Sequence, residues 1–202
     1  MFRIGVTGGI GSGKSTVCRM LEESGAAVYD SDSRAKHLMN SDAELRQQLV
    51  AEFGSRTFRD GVLDRKYLAS VVFSDADRLH KLNEIVHPAV RRDFREWCGE
   101  NADKPYLVLE SAILFEAGFE NEVDKTLAVV TPLPLRIERV CSRDGATREE
   151  VERRIAQQMS DDELSARADY TIANITLDYL RSDVEQLDKR FRYEAHCRNI
   201  RG

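Results

Sequence analysis

Gly8-Gly9-Ile10-Gly11-Ser12-Gly13-Lys14-Ser15 fills every position of the pattern G-x-x-x-x-G-K-[ST]. The glycines let the backbone wrap tightly and present amide N–H groups to phosphate oxygens. The helix expected to follow aims its positive end at the same oxygens. Gly9, Ile10, Gly11, Ser12, Gly13 and Thr16 supply the cradle, Lys14 reaches the β- and γ-phosphates, and the Ser15 hydroxyl is placed for Mg²⁺. The flanks agree with this reading. Phe2 to Thr7 is a short apolar strand, and Lys14 to Ser24 carries Val17, Met20, Leu21 and Ser24 on one helical face, closed by Gly25. Ala26 to Tyr29 is a second strand. Strand, loop, helix, strand opens a right-handed βαβ unit. A dinucleotide-binding turn is the alternative, with Asp30 as the ribose acid, but its fingerprint needs glycine where Lys14 stands.

Farther out, residues from about 33 to 100 are helical in pattern, with Leu38, Leu45, Leu49 and Phe53, then Leu68, Val72, Leu79, Leu82 and Val86 at helical spacing. Phe58-Arg59-Asp60-Gly61 breaks the stretch. Strands are expected at Tyr106 to Leu109, Leu127 to Thr131 and Tyr170 to Ala173. Helices are expected at Leu135 to Ser142, Arg148 to Met159 and Leu177 to Tyr193. Short apolar strands alternating with helices predict an α/β fold, a parallel sheet flanked by helices. The expected organisation is one domain over 1–202. Its core is 1–32, 105–134 and 168–202, with a helical insertion at 33–104 and a helical lid at 135–167.

The chain has 202 residues, enough for a sizeable core, with 42% hydrophobic and 32% charged residues, as in ordinary globular proteins. A net charge of −5 disfavours general nucleic-acid or membrane-surface binding, so phosphate must be held by local features. Cys18, Cys98, Cys141 and Cys197 form no C-x-x-C pair and read as thiols in a reducing compartment. The first strand begins at Phe2, which leaves no room for a cleavable leader, and no apolar run reaches membrane-spanning length. A cytoplasmic location is expected, with no membrane or nucleic-acid partner and a monomer as the working expectation.

Two further features carry chemistry. Tyr29-Asp30-Ser31-Asp32 puts two carboxylates at the carboxyl end of the second strand, where open α/β sheets bind ligands. Two apart on an extended segment, they would point the same way. One could take the proton of an attacking hydroxyl and the other order Mg²⁺ through water; equally, either could cap the next helix. The second feature is the arginine-rich segment, with Arg136, Arg139, Arg143, Arg148, Arg153, Arg154 and Arg167, and an Arg143-Asp144-Gly145 turn between two helices. Arginines suit phosphate oxygens, and a closing lid would exclude water. Arg136, Arg148 and Arg153 have Glu138, Glu149, Glu150 and Glu152 nearby and read as solvated pairs. No N-K-x-D guanine motif is present, and Glu110-Ser111 only approximates the acid-ended strand of motor ATPases.

Thr7 to Thr16 resembles the opening of dephospho-CoA kinases. So do Asp30-Ser31-Asp32, Leu63-Asp64-Arg65 with Val72-Phe73, Ile85-Val86-His87-Pro88, Ile113-Leu114-Phe115-Glu116, Arg139 and Arg143, Arg154-Ile155-Ala156-Gln157-Gln158, and Ala168-Asp169 through Asn174. The likeness runs in order from residue 1 to about 175. Ala112 stands where that family has proline. The resemblance implies a kinase that moves the γ-phosphoryl of ATP, with Mg²⁺, to the ribose 3′-hydroxyl of dephospho-CoA. It puts Asp32 as catalytic base, Lys14 and Arg143 on the transferring group, and Arg139, Arg143 and Asn174 on the nucleotide. Arg65, His87, Phe115 and Arg154 fall on the acceptor. From residue type alone His87 is better read as a helix-end ring packed on Trp97 or a neighbour, and Phe115 as core or pocket wall. A shikimate-kinase-like enzyme and a non-catalytic ATP-binding regulator are the alternatives.

Overall fold

A computed structural model describes residues 1–72 and 75–201. Phe73, named above beside Val72, lies outside the described residues. The chain divides into two units, Met1–Asp30 with Asn101–Gly202, and Ser31–Glu100.

The first unit is built on five parallel strands: β1 (Arg3–Thr7), β2 (Ala27–Asp30), β5 (Leu107–Glu110), β6 (Lys125–Val130) and β7 (Tyr170–Ala173), in the order β2-β5-β1-β6-β7. Each of these strands is at most six residues long and apolar in sequence, as expected of strands covered on both faces. Pairing of Val6 with Glu110 and of Thr7 with Ala128 brings the carboxyl ends of β5 and β6 alongside the end of β1. On one face, α1 (Lys14–Glu23) and α9 (Leu177–Arg201) pack on each other and on the sheet. Ile4, Val6, Val17, Leu21, Val129 and Phe191 are buried there. Phe191 sits edge-on between Tyr106 and Tyr170, with ring centroids 5.6 and 5.5 Å away. The sequence reading ended this helix at Tyr193; Arg190–Glu194 and Arg192–Asp188 pairs instead support its later turns, where no proline or glycine interrupts. On the other face Gly5 leaves room for Leu114 and Val123, which a Cβ would meet at about 3 Å.

The arginine-rich segment forms α6 (Leu133–Asp144), α7 (Arg148–Ile155) and α8 (Asp161–Arg167). Gly145 closes α6 with φ 66°, so the turn expected there is present. The helix expected over 148–159 ends at Ile155, and α8, which the sequence reading did not mark, starts after it at a capping box of Ser160 and Glu163, as α7 does at Thr147 and Glu150. Ile137, Val140 and Val151 make a small core between α6 and α7, and Ile10 of the glycine loop packs into it.

The second unit holds α2 (Ser31–Ser41), α3 (Ala43–Phe53), the hairpin strands β3 (Phe58–Arg59) and β4 (Val62–Leu63), α4 (Arg65–Val72) and α5 (Ala76–Glu100). Asp60 and Gly61, at φ 51° and 80°, make the two-residue hairpin turn that the sequence marks as a break. Leu38, Leu45, Leu49, Phe53, Leu68, Val72 and Val86 are buried as their spacing predicts; Leu79 is exposed. Arg34 and Asp93 form a bidentate pair that ties α2 to α5.

Phe191→Ala should lower unfolding free energy by about 3–5 kcal/mol, the usual cost of emptying a buried aromatic site. Urea denaturation followed by circular dichroism measures it. A change below about 1 kcal/mol would mean that α9 does not depend on this contact.

Candidate active site

The glycine loop owes its shape as much to what lies behind it as to what it is built to hold. Gly8, Gly11 and Gly13 have φ of 154°, 79° and 89°, values that side chains resist. The space behind each is also taken. A Cβ on Gly9 would stand 2.0 Å from Arg136 Nη2, and one on Gly13 would stand 2.0 Å from Asn174 Nδ2. A Cβ on Gly11 would stand 2.6 Å from the Arg136 carbonyl oxygen. The glycines therefore seat the loop against α6 and the end of β7, besides freeing its amides.

Asn174 was expected on the nucleotide. Its side chain, 4% exposed, donates from Nδ2 to the Ser12 carbonyl at 2.8 Å, and its backbone N–H continues the β7 ladder to Val130. The Thr131 hydroxyl lies 3.0 Å from the carbonyl oxygens of both Ser12 and Asn174. Lys14 Nζ donates to the Gly8 carbonyl at 2.7 Å, folded over the loop that it would share with phosphate. Ser15 is exposed in the first turn of α1, next to Thr16. Among the described residues no three His, Cys, Asp or Glu side chains converge on a metal position. The chain's fit to Mg²⁺ is thus one hydroxyl at the end of a phosphate loop, the donor set of an ion that arrives with a nucleotide.

Arg136 corrects the sequence reading outright. It was grouped with solvated arginines, but it is 3% exposed. Its Nε donates to the Ile10 carbonyl at 2.9 Å and its Nη1 to Asp161 Oδ1 at 2.8 Å. Arg148, paired with exposed Glu152, is the surface residue it was read to be. Arg139 reaches Thr131 Oγ1 and the Ile175 carbonyl, each at 3.5 Å, at the rim beside the loop. Arg143 and Arg154 converge on one carboxylate: Asp144 accepts from Arg143 Nε at 2.6 Å and from Arg154 Nη1 at 3.2 Å. Arg143 first and Arg154 second hold the Asp144 carboxyl down to about 2.

The two aspartates do not share one extended face. The chain turns helical at Ser31, so Asp30 ends β2 while Asp32 lies in the first turn of α2, exposed, in the other unit. A helix starting at Ser31 rather than near Ser33 separates them. Glu110 also lies near the loop, because β5 runs between β1 and β2 and places it beside the ends of both. Burial, and then Glu110, push the thiol of Cys18 well up, which keeps it protonated. The sequence signal for Glu110 was the acid-ended strand, weak by motif and stronger by strand order.

Phe115 is buried with the Arg167 guanidinium 4.4 Å above its ring. It lines a cavity of about 270 Å³ with Glu120, Lys125, Thr126, Arg167 and Asp169, at the amino ends of β6 and β7. That is the opposite end of the sheet from the glycine loop. In the second unit Arg65 is exposed at the start of α4. His87 is half-buried in the middle of α5, not at a helix end. Ten residues of helix separate it from Trp97, roughly 15 Å of rise, and Trp97 stacks on Phe94 instead. An open groove of about 780 Å³ in this unit, lined by Asn40, Arg46, Val50 and Phe58 among others, includes none of Asp32, Arg65 and His87.

A phosphate loop on a parallel sheet, with an arginine-bearing helical segment seated beside it, defines the class of P-loop small-molecule kinases. The comparisons resolve the class further. A family model described as dephospho-CoA kinase matches residues 2–178. A dephospho-CoA kinase of Salinibacter ruber is 45% identical over 191 residues, 93% of this chain and 96% of that protein. A crystal structure from Thermus thermophilus superposes with a TM-score of 0.83 at 37% identity, covering 92% of this chain and 95% of that one. The chain belongs to the dephospho-CoA kinase family. Its reaction is the ATP-dependent phosphorylation of dephospho-CoA in coenzyme A synthesis. A shikimate kinase of Bacteroides thetaiotaomicron, at 15% identity and a TM-score of 0.55, shares the fold alone, so the shikimate-kinase-like alternative is not favoured. Among the described residues no helix is long and apolar enough to cross a membrane.

Burial first, and then the charge of Arg91, lower the pKa of His87 below 6.5. A group that binds its proton more weakly when folded favours the unfolded chain as it protonates. Its contribution is complete above about pH 6.5 and is lost as pH falls through that value. An NMR titration should give His87 a midpoint below 6.5, and His87→Gln should flatten the fall in Tm between roughly pH 7 and 5. A midpoint above 6.5 would contradict this environment.

Proposed function

We propose that the acceptor oxygen is the ribose 3′-hydroxyl of dephospho-CoA, that the γ-phosphoryl of ATP is transferred to it, and that Asp32 takes its proton. The oxygen attacks γ-phosphorus, the bond to the β–γ bridging oxygen breaks, and coenzyme A and ADP leave. The observation that carries this reading is the complete phosphate loop in a chain of this family, followed one strand later by Asp30-Ser31-Asp32. Asp32, an exposed carboxylate in the first turn of α2, is the group proposed to take the proton as the hydroxyl reacts. Lys14, which lies on the loop carbonyls, transfers its hydrogen bonds to phosphate oxygens. Arg143 and Arg154 are gathered side by side by Asp144, and offer planar donors to the phosphoryl group and the acceptor. Arg139 and the loop residues Gly9 to Thr16 hold the nucleotide, while Asn174 supports them from behind. Ser15 would hold Mg²⁺, which when bound supplies charge neutralisation between the phosphates.

On the acceptor side the resemblance supports Arg65 and His87, while Phe115 lies at the far end of the sheet from the loop. The working organisation is a nucleotide core, a helical acceptor-binding insertion and a lid over 135–167, acting as a monomer in the cytoplasm.

Asp32→Asn should bind ATP with unchanged affinity, measured by calorimetry, and lose about 10²–10⁴-fold in kcat with dephospho-CoA, the usual worth of a positioned base. Unchanged turnover in this variant would remove Asp32 from the mechanism.

A further inference from the structure

Ile10 is held on three sides by the lid segment. Its N–H donates to Gln158 Oε1 at 2.8 Å, and its carbonyl accepts from Arg136 Nε at 2.9 Å. Its side chain packs into the cluster of Ile137, Val140 and Val151 between α6 and α7. The guanidinium that makes the middle contact is itself fixed. Its Nη1 is paired with Asp161, whose other oxygen accepts from the Thr131 N–H at 3.3 Å, and Thr131 in turn touches the Ser12 carbonyl.

We infer that Arg136, Asp161 and Gln158 are positioning residues that hold the first half of the phosphate loop in the shape that receives ATP. The inference rests on the reading that this loop receives the phosphates of ATP. Two observations speak for a positioning role over ordinary packing. Arg136 Nη2 is buried without a hydrogen-bond partner among the described residues. Leaving a guanidinium nitrogen unsatisfied carries a cost that an apolar side chain would avoid. The same nitrogen fills the space that a side chain on Gly9 would need, so the guanidinium plane is the surface on which the loop backbone rests. A planar side chain with separate Nε and Nη donors can hold a loop carbonyl and a lid carboxylate at two fixed positions, where a lysine offers donors from one nitrogen only. Gln158 completes the grip by taking the one amide on Ile10 that would otherwise point without direction.

Two variants and one ratio test this. Asp161→Asn keeps the shape and removes the charge that aligns Arg136. Arg136→Lys keeps the charge and removes the planar donor to Ile10. Each should raise KM for ATP about tenfold, as expected for a lost charge-assisted contact, while KM for dephospho-CoA changes less than about twofold. Calorimetry should show ATP weakened by the same factor and adenosine, which lacks phosphates, unchanged. A purely structural role would lower Tm and the active fraction, and so kcat, without this split. If both variants fold and their ATP KM stays within about twofold of the parent, the inference is wrong. If the parent protein itself binds ATP no better than adenosine, the underlying loop assignment fails instead.

Discussion

The phosphate loop is a turn of left-handed glycines with little secondary structure of its own, so its geometry depends on the surface behind it. Arg136, 3% exposed, supplies much of that surface. Its side chain spans from the Ile10 carbonyl to Asp161, and Asn174 and Thr131 hold the Ser12 carbonyl on the neighbouring side. These side chains come from the start of α6, the end of β6 and the end of β7. Their meeting point is a consequence of strand order, because β6 and β7 follow β1 in the sheet. The loop sits where carboxyl ends of parallel strands meet a helix amino terminus, and both favour bound anions.

The same seat explains why glycine is needed at Gly9, which the phosphate-loop pattern leaves open, and gives Gly13, which it fixes, a second reason. Gly9 and Gly13 are cramped by Arg136 and Asn174, so added side chains would collide with protein before meeting a ligand. A rigid, pre-shaped anion site costs little reorganisation when the nucleotide arrives, which is how such sites favour the charge that develops during transfer. The lid arginines are prepared in a parallel way. Asp144 gathers Arg143 and Arg154 at the surface.

Much of this was legible in the sequence because local rules and the fold agree there. Residues 8–15, the flanking apolar strands, Gly25 and Gly145 as helix ends, and the hairpin at Asp60-Gly61 each carry a signal within a few residues. What was not legible depends on distant pairing. Arg136 lies among glutamates at helical spacing and reads as a surface residue; only the turn after Pro132 and the partner Asp161, 25 positions away, bury it. Asn174 reads as a ligand contact, and the sequence does not show that its amide also holds the Ser12 carbonyl. Glu110 gains its place from β5 lying between β1 and β2, an order that no motif states. Asp30 and Asp32 were assigned one face because the helix start at Ser31 was read two residues late. Phe115 belongs to a motif that the resemblance assigns to the acceptor, yet lines a cavity at the far end of the sheet.

A loop shaped in advance for triphosphate, in a chain of the dephospho-CoA kinase family, accounts for phosphoryl transfer to one kind of acceptor. The direct measurement is ADP release from Mg²⁺-ATP by the purified protein with dephospho-CoA, with shikimate, and with no acceptor. The account predicts release that rises strongly above the acceptor-free rate with dephospho-CoA alone, with coenzyme A as the product. Release that stays at the acceptor-free rate, or that rises equally with shikimate, would contradict it.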